Sequence, residues 1–155
     1  MPVFLVRHAH ALPRSEWRGD DSLRELSERG RRQSDALVEV LVEFKPQRIL
    51  SSPYLRCVDT VAPLASALGL AVEPADVLAE GSGKAAYRLV RDLVEQDVVL
   101  CSHGDVIPGV LENLSTGERV DIGKTPRCEK ASIWVLQGRK GHFAKAAYLK
   151  PPRID

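Results

Sequence analysis

Apolar residues along the chain fall into short blocks of two alternating kinds. Pro2–Val6, Arg48–Ser51, Ala71–Glu73 and Asp97–Ser102 are brief runs dominated by Val, Ile, Leu and Phe. Runs of this length with β-branched residues predict strands, and their lack of alternation predicts strands covered on both faces. Between them the apolar positions recur at helical spacing. Leu37, Val40/Leu41 and Phe44 mark the buried face of a helix that Ser27 caps and that runs to about Phe44. A second helix is expected from Ser52 as cap, with Pro53 at its first position, to Leu68, where Gly69 suits the C-terminal cap. Pro63 lies inside it and should kink it or end it early. Ala85–Glu95 and Asp105–Leu114 read as two more helices. Ser132–Leu136 and His142–Tyr148 read as strands around a turn at Gly138–Gly141. Ala11–Leu23 reads as a loop, and Lys150–Asp155, with Pro151 and Pro152, is expected to trail off.

The resulting order, β-α-β-α-β-α-β-α-β-β, predicts a single domain over residues 1–155. Its fold class is α/β: a three-layer α/β/α sandwich with a mainly parallel central sheet. The chain has 155 residues, enough to bury a core without disulfides or metal. The longest apolar runs have four residues, such as Val3–Val6, against the roughly 20 that a membrane helix needs. The three cysteines, Cys57, Cys101 and Cys128, are odd in number and widely spaced, which fits free thiols and a cytoplasmic location.

Net charge is +1, so nothing global points to nucleic acid or membrane. The distribution is uneven, however. Residues 119–155 hold nine Lys/Arg against three Asp/Glu, whereas residues 1–118 hold thirteen against eighteen. A basic segment on an acidic body suits an anionic ligand, although a solvated basic face would look the same.

In parallel sheets ligands bind beyond the carboxyl ends of the strands. There the chain places Arg7-His8, then Ser51-Ser52-Pro53-Tyr54-Leu55-Arg56, then His103-Gly104. Two histidines and two arginines can converge beside a helix N-terminus, a setting that favours phosphate. Neighbouring positive charge keeps such a histidine neutral and nucleophilic. A phosphate-binding module without turnover uses the same residues. A metal hydrolase built on His8-Xaa-His10 lacks a matching carboxylate motif.

These motifs in this order resemble the histidine phosphatase superfamily, the phosphoglycerate mutase-like group. Arg7-His8-Ala9, Ser51–Arg56 and His103-Gly104 carry the resemblance, with Ala9 where Gly is usual. The segment Asp21–Gln33 is similar to the compact SixA-like branch, which includes phosphohistidine phosphatases. Gly19-Asp20-Asp21-Ser22, Arg56-Cys57 with Thr60, Val106-Ile107-Pro108 and Lys130 before Ser132 are similar to the phosphatase domain that follows a MutT-type Nudix domain in some actinobacterial proteins. No Nudix motif is present in this chain.

The resemblance implies a metal-independent phosphatase in which His8 is the nucleophile and forms a phosphohistidine. It makes Arg7, Arg56 and His103 the groups that hold the phosphoryl unit. Leu78-Ala79-Glu80 matches the family's acid segment, so Glu80 is the candidate general acid, with Asp21 in reserve. Ser52, Asp21, Arg24, Lys124, Arg127 and Lys130 are the expected substrate contacts, the last three as the cationic loop before Ser132. No metal or cofactor is expected. The substrate would be a small phosphorylated compound, a nucleotide among them, or a phosphohistidine protein, with no nucleic acid or membrane partner.

Overall fold

The computed structural model describes residues 1–81 and 83–154. Six strands form one sheet: β1 (Pro2–Arg7), β2 (Arg48–Ser51), β3 (Val72–Pro74), β4 (Val98–Ser102), β5 (Ile133–Arg139) and β6 (His142–Leu149). Their spatial order is β3-β2-β4-β1-β5-β6. The first four are mutually parallel, while β5 runs antiparallel to both β1 and β6. Four helices cover it: α1 (Glu28–Leu41), α2 (Leu55–Leu68), α3 (Gly83–Asp92) and α4 (Ile107–Glu118).

The sheet is buried on both faces, which accounts for the unbroken apolar runs. Successive side chains of a strand point to opposite faces. Val3 and Leu5 of β1, with Val98 and Leu100 of β4, join the core under α3 and α4. Phe4 and Val6, with Ile49, Val99 and Cys101, join the core under α1 and α2. The expected three-layer sandwich is therefore present, with a sheet that is mainly parallel and antiparallel at one edge.

Several element ends differ from expectation for identifiable reasons. Helix α1 stops at Leu41, and a 3-10 turn, Val42–Phe44, closes on Lys45 in the left-handed region (φ 49°). Phe44 consequently leaves the helical face and is largely exposed, although its ring still lies 4.9 Å from Phe4. Helix α2 starts at Leu55 rather than at Pro53, with Tyr54 at the N-cap position, so Ser52 lies too early to cap it; the Ser52 hydroxyl accepts from Tyr54 N–H at 3.2 Å and lies 2.8 Å from His103 Nε2.

Pro63 does not end α2 early; the helix continues to Leu68. The carbonyl that Pro63 cannot bond is that of Asp59, one turn back. The Ser34 hydroxyl of α1 lies 3.0 Å from it and 2.9 Å from the carbonyl of Thr60, so a neighbouring helix satisfies the gap. Gly69 caps α2 in the left-handed region as expected. Helix α4 begins at Ile107, two residues late, and extends to Glu118. After β6 the chain does not trail off: Pro151, Pro152 and Ile154 are half-buried, while Asp155 lies outside the described residues.

Candidate active site

Three adjacent strands end at one crevice. β1 delivers Arg7 and His8, β4 delivers His103, and β2 delivers Ser51 and Ser52. The chain beyond each strand is pinned to its neighbours. His8 N–H donates to the Ser102 carbonyl (3.0 Å), Ser52 N–H to Cys101 (2.9 Å), and Arg7 N–H to Ser132 (3.1 Å). Thr60 of α2 locks the turn after His8: its hydroxyl accepts from Ala9 N–H at 2.9 Å and donates to the Arg56 carbonyl at 2.6 Å. Ala9 is fully buried and its φ is not positive, so the extra methyl fits without backbone strain.

The cavity beyond these ends is about 650 Å³ and is lined by Arg7, His8, Arg56, Glu80 and His103, with His10, Arg14, Arg24 and Lys130 at its margins. His8 is 6% exposed. Its Nδ1–H donates to the Ala9 carbonyl at 2.8 Å, which leaves Nε2 as the free lone pair. Burial pushes its ring from 6.5 down to about 3; the Ala9 hydrogen bond opposes this, and His103, Arg56 and Arg7 add to it. The imidazole is thus neutral across the physiological range.

This shift ties His8 to stability. The unfolded chain binds the extra proton between the two values, so the contribution is complete above 6.5 and is lost as pH falls toward 3. By pH 5 the loss should be about 2 kcal/mol. Urea unfolding at pH 8 and pH 5 should show wild type losing that much more than His8→Asn. Equal losses would mean that the ring is not held neutral.

Arg7 and Arg56 line the cavity beside His8. Arg7 Nη1 donates to the Cys128 carbonyl at 2.6 Å. Its guanidinium lies so close to Gly104 that a Cβ there would sit 2.6 Å from Arg7 Cζ, which explains the glycine after His103. Arg56 is fully buried. Nη1 donates to the Asp21 carbonyl (2.8 Å), and Nη2 reaches Asp21 Oδ2 (3.1 Å) and Glu80 Oε1 (2.5 Å). His103 Nε2 lies 2.8 Å from Ser52 Oγ, and Nδ1 lies 3.6 Å from Glu80 Oε1. The Tyr54 ring packs edge-on against His103 and under the Arg56 guanidinium.

Glu80 reaches the cavity because the preceding 3-10 turn, Asp76–Leu78, is anchored. Leu78 is buried in the core, and its carbonyl accepts from Ser102 Oγ at 2.6 Å. Asp21 faces Arg56 and Arg24 rather than lining the cavity. Burial pushes the Asp21 carboxyl up, but the Arg24 hydrogen bond and the charges of Arg56 and Arg24 outweigh it and hold it below the usual range. Of the two carboxylates only Glu80 lines the cavity, so it is the one within reach of a bound ligand.

The cationic loop divides. Lys130 lines the cavity; burial, then Arg7, Arg24 and Arg56, lower its pKa. Lys124 and Arg127 are not brought to it. Lys124 is exposed, and Arg127 pairs with Glu129 at 2.7 Å and lies over the Tyr148 ring. Arg24 is buried, binding Asp21 and the Leu12 carbonyl. No sequence motif singles out Arg14, yet it reaches Glu80 (3.7 Å) and Asp21 (3.8 Å) from the loop after β1. His10 Nδ1 is engaged by Ser27 Oγ at 2.6 Å, and among the described residues no group of three or more His, Cys, Asp or Glu could hold a metal.

Residues 3–86 match the family model described as "Histidine phosphatase superfamily (branch 1)". An 8-oxo-(d)GTP phosphatase of Mycolicibacterium smegmatis is 34% identical over 97% of this chain, which spans about half (48%) of that relative's length. The protein histidine phosphatase SixA in its tungstate complex superposes with a TM-score of 0.80 at 22% identity, over 97% of each chain. A mycobacterial glucosyl-3-phosphoglycerate phosphatase does so with a TM-score of 0.68 at 20% identity, over 98% of this chain and 99% of that one.

Proposed function

This chain belongs to the histidine phosphatase superfamily, and we propose that it hydrolyses phosphorylated substrates through a phosphohistidine on His8. The observation that carries this reading is the neutral, buried His8 ring, with Nδ1 tied to Ala9 and Nε2 left free between Arg7, Arg56 and His103.

His8 Nε2 attacks phosphorus, and the bond from phosphorus to the leaving oxygen breaks. Glu80 gives that oxygen its proton. Charge on the phosphoryl oxygens meets Arg7, Arg56 and His103; such aligned donors are usually the largest catalytic term. With Ser52 Oγ–H donating to His103 Nε2, Nδ1–H is the donor on the cavity side. Phospho-His8 is cationic at the ring, and Nδ1–H to Ala9 supports that charge. Water then attacks phosphorus, Glu80 takes its proton, the P–N bond breaks, and the neutral imidazole returns with free phosphate. Nucleotides, sugar phosphates and phosphohistidine peptides are the substrates to screen first.

Glu80→Gln tests the acid. An alkoxide must be protonated as it leaves, whereas a nitrophenolate need not be. The variant should therefore slow alkyl phosphates by about 10²–10⁴-fold and aryl phosphates far less. Equal losses on both would remove Glu80 from the acid role.

A further inference from the structure

A second cavity, about 820 Å³, opens beside the first and shares Arg7, His10 and Lys130 with it. Its outer wall adds Arg29 and the C-terminal segment Pro151–Ile154, including Arg153. We propose that this cavity is a subsite for a second phosphate of the same small substrate, so that compounds carrying two phosphates are selected over monophosphates. The proposal rests on the phosphatase reading of His8.

The wall is built from three distant parts of the chain. Arg29 stands in the first turn of α1, which Ser27 caps by accepting from Gly30 N–H at 3.0 Å. The same Ser27 hydroxyl holds His10, and a Cβ on Gly30 would lie 1.8 Å from the His10 carbonyl oxygen. Arg29 and the His8–His10 segment are therefore fixed against each other by close packing. Arg153 arrives from the opposite side. β6 runs in the same direction as β1, since each is antiparallel to β5, and so it ends at the catalytic edge. Pro151 and Pro152 then hold φ near −65° and carry a stiff segment along the cavity.

The electrostatics are one-sided. Arg7, Arg29, Lys130 and Arg153 contribute four positive charges to this wall. Its acid, Glu129, is turned to Arg127 and to the Tyr148 hydroxyl (3.1 Å). Arg29, Lys130 and Arg153 have no ion-pair partner among the described residues. Unpaired guanidinium groups around a concavity match a phosphate in both charge and geometry. Lys130 is half-buried, and burial, then Arg7, Arg24 and Arg56, lower its pKa, while Arg29 and Arg153 stand exposed, open to an incoming ligand. The two cavities lie side by side across Arg7, His10 and Lys130, an adjacency that suits a compact molecule with two anionic ends better than a protein surface.

The test is Arg29→Ala/Arg153→Ala, assayed on a nucleoside diphosphate, a sugar bisphosphate, nitrophenyl phosphate and a phosphohistidine peptide. KM should rise about 10-fold for whichever two-phosphate substrate is turned over, with kcat and both single-phosphate substrates changed by less than about twofold. Unchanged KM for the two-phosphate compounds, or an equal rise for nitrophenyl phosphate or the peptide, overturns the subsite. Calorimetry reads the subsite without turnover. Inorganic pyrophosphate should bind wild type about 10-fold more tightly than orthophosphate, and the double variant should lose that margin. A wild type that hydrolyses nothing yet keeps the pyrophosphate margin would sink the phosphatase reading alone; a missing margin in an active wild type would sink the subsite alone.

Discussion

His8→Ala is expected to lower turnover by at least about 10³-fold while leaving the fold intact, because the nucleophile has no substitute in the cavity. The other imidazoles are engaged, His10 by Ser27 and His103 by Ser52. Cys57, the closest thiol, is fully buried behind His103. Wild type quenched during turnover should carry a phosphate that acid removes and base does not, as a P–N bond behaves. Label on Ser or Cys, or label persisting in His8→Ala, would refute the covalent role. Circular dichroism must show the variant folded for the comparison to count. That is expected, since removing a desolvated imidazole also removes its burial cost.

Arg56→Ala should have the second largest effect, and on two observables at once. One guanidinium joins the Asp21 carbonyl, the Asp21 carboxylate and Glu80, all at a fully buried position. Losing it removes a phosphoryl donor, which typically costs about 10²–10³ in kcat. It also leaves Asp21 and Glu80 without the cation between them. Both carboxylates are about a third exposed, so water screens them, and the stability loss should stay near 1–3 kcal/mol rather than the larger figure for a wholly buried pair. Arg56→Lys should recover stability only in part and activity hardly at all. A single ammonium cannot span three acceptors held by a planar fork. Kinetics and urea melts on the two variants check this; full activity in the lysine variant would show that charge alone matters there.

The convergence of Arg7, His8 and His103 on one cavity was readable in the sequence because these residues sit at strand ends. Arg7-His8 and His103-Gly104 each follow an apolar run, and strand ends converge by topology alone. Gly104 was readable as a motif, but its cause, the Arg7 guanidinium lying against it, is a contact across two strands. What escaped depends on partners distant in the chain. Nothing local to Pro63 shows that Ser34 will serve the Asp59 carbonyl. Ser52 looks like a helix cap, but the helix starts three residues later and the Ser52 hydroxyl serves both Tyr54 N–H and His103. Lys124, Arg127 and Lys130 are alike in sequence, yet Arg127 turns away to Glu129 and Tyr148, and only Lys130 lies on the cavity side. The C-terminal prolines read as an ending, whereas the direction of β6 makes them a wall.

The placement of β1 in the middle of the sheet has a bearing on how the site comes into being. β1, which ends at His8, precedes the other five strands in the chain, but its two neighbours are β4 and β5, from the last two-fifths of the chain. Val3 waits for Val98 on one side and Leu136 on the other. Closing such long loops is entropically slow, and contacts of this range delay the folding step that depends on them. During synthesis α1, β2 and α2 can associate early, while β1 still lacks both of its neighbours. The cavity around His8 is thus among the last features to form, and a ligand meets either no site at all or the finished one.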